Sequence, residues 1–106
     1  MSKHKQPSFI DPQALRELVR CDEKVVIVDV RSPEEFAAGH VEGAINIPSD
    51  QLAAQAGVLP VDANIVTVCN LGGARSCNAA KQLHQMGYEK AVPLQGGTRA
   101  WLEGKE

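Results

Sequence analysis

The chain has no apolar run approaching the ~20 residues that a helix needs to cross a bilayer, which argues against a membrane-spanning segment. Its opening residues, Met1 to Gln6, are polar and lack the apolar stretch of a secretory signal, so the cytoplasm is the expected location. Charge of either sign is not in large excess. Eleven basic side chains face thirteen acidic ones, for a formal net charge of −2. There is thus no general attraction to nucleic acid or an anionic membrane surface, and any recognition of an anion has to be local. Cysteine is scarce and badly spaced for cross-linking or zinc. Cys21, Cys69 and Cys77 make an odd count without a Cys-x-x-Cys pair, which argues against a disulfide scaffold or a metal site and for reduced thiols. Internal repeats and low-complexity segments are also missing. At 106 residues the chain suits one compact domain with one core.

What is there is an alternation of short apolar runs with helix punctuation. Asp11-Pro12 pairs a cap with proline at the first helical position, and Leu15, Leu18 and Val19 follow on one helical face. Val25 to Val28 is a β-branched run that reads as a buried strand. Ser32-Pro33-Glu34-Glu35 has the form of a capping box, with Gly39 as the stop of a short helix. Ile45 to Pro48 reads as extended. Ser49-Asp50 opens another helix ending near Gly57. Ile65 to Val68 is a second β-branched strand and runs straight into Cys69. A helix over Arg75 to Met86 follows, with Gly87 as its C-terminal cap. Ala91 to Leu94 is a last short strand and Thr98 to Glu103 a last helix. Strands alternating with helices predict an α/β domain with a mainly parallel sheet. Residues 1–7 are expected to form a flexible tail and 8–104 the domain.

The segment with the most chemistry in it is Cys69-Asn70-Leu71-Gly72-Gly73-Ala74-Arg75-Ser76. A strand ends at cysteine, the chain turns through two glycines, and a helix starts at arginine and serine. Glycines let backbone N–H groups converge, and a helix start adds donors without intrahelical acceptors. Together these make a cradle for an anion. The same field favours a thiolate, and Arg75 supplies a planar cation suited to an oxyanion. From this pattern alone, Cys69 reads either as a nucleophile or as an inert strand-end thiol.

Three segments then resemble signatures of the rhodanese family. Asp29-Val30-Arg31-Ser32-Pro33-Glu34-Glu35-Phe36, continued by Gly39-His40-Val41-Glu42-Gly43-Ala44-Ile45-Asn46-Ile47-Pro48, is similar to the first. Val66 to Ser76 resembles the active-site strand and loop. Gly87-Tyr88 with Leu94-Gln95-Gly96-Gly97 and Trp101 resembles the C-terminal signature. The likeness runs from about Phe9 to Leu102, with the segments in family order.

The resemblance implies a rhodanese-like central parallel sheet with helices on both faces, and it implies sulfur transfer. Cys69 would take the outer sulfur of a donor such as thiosulfate, become a persulfide, and pass the sulfur to cyanide or a thiol. A protein could also be the acceptor. Backbone groups of Asn70, Leu71, Gly72, Gly73, Ala74, Arg75 and Ser76 would cradle the substrate. Asp29 would order backbone near the loop, and Arg31 would pair with Glu35. No metal or organic cofactor is implied.

One departure sits inside the likeness. The usual rhodanese loop places arginine or its equivalent five residues after cysteine, whereas Arg75 stands six after Cys69. That spacing, Cys-x-x-Gly-x-x-Arg-Ser, matches the protein tyrosine phosphatase signature. A longer loop also marks rhodanese-fold relatives that act on phosphate or arsenate. Against that chemistry, expelling an alkoxide usually needs a general acid, and 70–88 contains no carboxylate; only a more distant acid such as Glu42 or Asp50 is available. Sulfite leaves without one. A non-catalytic sulfur-carrier or regulatory module is a third reading. Outside the loop, His40 is expected to hydrogen-bond a turn, His4 and His84 to face solvent, Trp101 to pack in the core, and Cys77 to pack against the sheet, with a resolving-thiol role as its alternative.

Overall fold

The computed structural model describes residues 9–21, 24–71 and 73–103. The expected tail over 1–7, His4 and Gly72 lie outside the described residues. Among the described residues four parallel strands form the sheet: β1 (Val25–Asp29), β2 (Ile45–Asn46), β3 (Asn64–Val68) and β4 (Val92–Pro93). Their spatial order is β2-β1-β3-β4. Ile10 extends the far edge by a parallel bridge to Leu94. Among the described residues five α-helices accompany them: α1 (Pro12–Arg20), α2 (Pro33–Ala38), α3 (Leu52–Gln55), α4 (Ala74–Gln85) and α5 (Gly97–Glu103). The helix expected from Ser49 is broken up: 3₁₀ turns over Ser49–Gln51 and Ala56–Val58 flank the single α turn of α3.

The alternation of side chains along the strands divides the core into two layers. Val28, Ile65 and Ile47 pack with Leu52, Ala79, Ala80, Leu83 and Tyr88, which places α3 and α4 on one face. Ile27, Val66 and Val68 pack with Leu15 and Leu94, and with partly buried Trp101, which places α1 and α5 on the other. Helices thus lie on both faces, as expected. The nine residues of α1 are fewer than the ~12–15 that an isolated helix needs to be even marginally stable. Complete burial of Leu15, worth ~1.5–3 kcal/mol, holds it in place.

Local rules explain most element ends. Asp11 Oδ1 accepts the Ala14 N–H at 2.7 Å and caps α1. Ser32 and Glu35 complete a reciprocal capping box on α2. At the end of α4, Gly87 N–H donates to His84 O and Tyr88 N–H to Leu83 O, with Gly87 at φ 103°, a Schellman closure that asks for glycine. His84, however, does not face solvent. It is half-buried, and its Nε2 lies 2.7 Å from Ala91 O, tying α4 to the approach of β4.

Candidate functional site

The order of parallel strands reverses direction between β1 and β3. In an open parallel sheet, the loops leaving two such strands diverge to opposite faces, and a crevice opens at their C-terminal ends. Cys69 follows β3 directly and is 3% exposed, while Val30 and Arg31 follow β1 beside it. Val30 N–H donates to Val68 O at 2.9 Å and locks the two strand ends together. The nucleophile candidate therefore stands where this topology provides a binding crevice.

From Cys69 the chain turns into α4, whose N-cap is Gly73 with no side-chain cap. The Cys69 thiol donates to Ser76 Oγ at 3.4 Å, and that hydroxyl donates to Gly73 O at 3.3 Å. Thr67 Oγ1 donates to Ser76 O at 2.8 Å and pins the first turn of α4 to β3. The carbonyls of Cys69 and Asn70 accept from Thr98 N–H at 2.9 Å and Arg99 N–H at 3.1 Å, so α5 anchors the strand end from the other side. Consecutive positive φ angles at Gly96 (76°) and Gly97 (63°) let the chain turn into α5 there, a conformation that favours the Gly-Gly pair.

Four charges surround the loop in alternating order. Asp29 is fully buried and holds Arg31 through Nε at 2.9 Å and Nη2 at 2.8 Å. Arg31 Nη2 also donates to Gly39 O at 2.7 Å. The hydrogen bond to Asp29 raises the Arg31 pKa against the opposing effect of burial. The expected Arg31–Glu35 pair is not formed. Asp29, two residues upstream on the same strand end, takes the guanidinium, and Glu35 faces Arg75 instead at 3.2 and 3.4 Å. That bond to Arg75, with the backbone N–H of Ser32, lowers the Glu35 pKa to about 2. Arg75 is pushed up chiefly by Glu35, and the charge of Cys69 adds to the shift.

A cleft of about 310 Å³ borders this array, lined among others by Arg31, Glu35, Asn70, Thr98, Arg99 and Leu102. Leu71 is 62% exposed at the loop tip. Asp50 shares a second cleft with Ser32 and Arg75. Glu42 lies on a third with Arg16 and Trp101, where the Arg16 guanidinium stacks 4.2 Å from the indole. His40 stacks on Phe36 at 3.8 Å, and its Nδ1 lies 2.8 Å from Phe36 O, so it serves a turn. Cys77 is half-buried one residue beyond Ser76, and no disulfide joins the cysteines. No cluster suited to a metal ion occurs among the described residues.

Two site residues were not anticipated. Asn46 Nδ2 donates to both Asp29 O and Arg31 O at 3.0 Å and clamps the turn that carries Arg31. Its place in the Ala44-Ile45-Asn46-Ile47-Pro48 segment, a polar residue amid an apolar stretch, was the available signal. Thr98 is 3% exposed, and its Oγ1 has no hydrogen-bond partner among the described residues. A threonine in the first turn of α5 gives no hint of that.

Residues 11–104 match the sequence profile of the Rhodanese-like domain family. A sulfurtransferase of Allochromatium vinosum is 35% identical over 87% of this chain and 85% of its own length. A thiosulfate sulfurtransferase of Shewanella oneidensis is 37% identical over 85% of this chain and 90% of its own. Among solved structures, a human single-domain sulfurtransferase superposes with a TM-score of 0.81 at 29% identity. That match covers 92% of this chain and 97% of the other.

Proposed function

The chain belongs to the rhodanese-like domain family, and from that premise we propose that it transfers a sulfane sulfur through a persulfide on Cys69. The supporting observation is the position of Cys69. It sits at the strand reversal, against the start of α4 that no side chain caps, with the Ser76 hydroxyl at 3.4 Å and Arg75 in the first turn of that helix. With thiosulfate as donor, the Cys69 thiolate attacks the outer sulfur. The S–S bond of the donor breaks, its electron pair leaves with sulfite, and a cysteine persulfide remains. Cyanide or a thiolate then attacks the terminal sulfur and returns Cys69 as thiolate. Ser76 has a rotatable hydroxyl, which can turn from Gly73 O to donate to a charged sulfur. The first N–H groups of α4 stabilise negative charge on the transferring sulfur.

Sulfite departs as a stable dianion, so the step calls for no proton donor. This suits the site, because Glu35 stays ionised at neutral pH and is committed to Arg75 and Ser32. The second reading, nucleophilic attack on phosphate or arsenate, is favoured by the six-residue spacing from Cys69 to Arg75 and by Asp50 in a cleft shared with Arg75. Mass spectrometry separates the two. Incubation with thiosulfate is expected to add ~32 Da, reversibly by cyanide and not at all in Cys69→Ser. Hydrolysis of an aryl phosphate with no added mass would replace sulfur transfer by the second reading.

A further inference from the structure

The guanidinium groups bordering the Cys69 loop and its cleft each already face a carboxylate. Arg31 pairs with Asp29 at 2.8 Å, Arg75 with Glu35 at 3.2 Å, and Arg99 with Glu103 at 3.0 Å. An anionic donor therefore meets matched charges. The pairs differ in how firmly each member is held. Asp29 and Arg31 are buried and multiply bonded. Arg99 and Glu103 are exposed neighbours on α5. In the third pair, Glu35 is fixed, since its Oε1 also accepts from Ser32 N–H at 3.0 Å and Ser32 Oγ at 3.2 Å. The Arg75 side chain is 45% exposed, and among the described residues both hydrogen bonds of its guanidinium go to Glu35. If that pair opens, the carboxylate keeps its cap bonds and the guanidinium moves.

We propose that Glu35 is a specificity-determining residue: its carboxylate occupies Arg75 in the resting site, and an incoming oxyanion takes over the guanidinium, which swings away while the carboxylate stays on its cap. The inference rests on the reading that Cys69 meets an anionic substrate. Exposed ion pairs are weak. An oxyanion that presents two oxygens to the planar fork makes the same pair of charge-assisted hydrogen bonds that Glu35 makes, and can replace it. A neutral electrophile makes no such exchange and gains nothing from Arg75.

Alkylation of Cys69 tests this without sulfur chemistry. The same thiolate displaces iodide from iodoacetate, an anion, and from iodoacetamide, a neutral analogue. The ratio of the two rates therefore cancels the thiolate fraction and reports anion recruitment. Rates are read from the mass of the peptide carrying Cys69, apart from those of Cys21 and Cys77. In Glu35→Gln the iodoacetate-to-iodoacetamide ratio is expected to rise roughly threefold or more, a range typical of one charge near a surface site. Glu34→Gln removes the same charge from the exposed first turn of α2 and is expected to change the ratio much less. Adding Arg75→Gln to Glu35→Gln is expected to cancel the gain. Glu35→Asp keeps the charge and the shortened side chain withdraws from Arg75, so it too is expected to raise the ratio; it stands in if the glutamine variant folds poorly. A ratio that is unchanged or lower in both Glu35 variants, or equally raised by Glu34→Gln, overturns the proposal. Failure to form a persulfide from thiosulfate would refute the sulfur-transfer reading and leave this ratio readable.

Discussion

Asp29 and Arg31 show why a single side chain near the site governs stability before chemistry. With Asp29 fully buried and Arg31 nearly so, truncating one partner leaves the other charge without its match in a poorly hydrated place. Arg31→Ala is expected to lower the unfolding free energy by about 3–5 kcal/mol, read from urea denaturation. A variant with native stability and no activity would reverse that assignment. Thr98 predicts the opposite sign. Its Oγ1 is buried with no partner among the described residues, so the isosteric Thr98→Val is expected to raise stability by about 1 kcal/mol.

At the scale of elements, α2 links a capping motif to the loop. Ser32 caps the helix, Glu35 closes the box, and the same carboxylate reaches Arg75. Because the Glu35 pKa is lowered to about 2 from an ordinary value of 4.5, the folded state gains from its ionisation above about pH 4.5. That gain is lost as pH falls toward 2, where the folded carboxyl also takes up its proton. Acid titration of stability is expected to be shallower in Glu35→Gln across that window, and unchanged above it. Helix α4 carries an independent prediction at its other end. Gly87→Ala meets no neighbour, so its cost is the left-handed backbone alone, about 1–2 kcal/mol in thermal or urea unfolding.

For the whole molecule, the sheet separates two cores that share only its backbone. Ile65 lies in the layer with α3 and α4, and Ile27 in the layer with α1 and α5. Ile65→Val and Ile27→Val are each expected to cost about 0.5–1.5 kcal/mol. Their double variant is expected to cost the sum within about 0.5 kcal/mol, since the two side chains belong to separate buried clusters on opposite faces of the sheet. A larger interaction energy would mean that the sheet relaxes as one body. Among the described residues no helix is long and apolar enough to cross a membrane.

Much of this was legible because local rules act over few residues. The caps at Asp11 and Ser32, the β-branched runs of β1 and β3, and the glycine closure at Gly87 depend on neighbours within a turn or two, and sequence carries those completely. The identity of the candidate nucleophile follows from the same kind of reading, as a strand ending in cysteine before a glycine turn. Tertiary structure decided who pairs with whom. Arg31 had Asp29 and Glu35 within four residues. Which one it takes depends on burial and on Gly39 O and Asn46, groups brought in by folding. Arg75 meets Glu35 across forty residues because the β1 and β3 ends lie side by side in the sheet. Charge pairing is a property of positions in space at energies of a few kcal/mol or less, and spacing along a chain does not encode it.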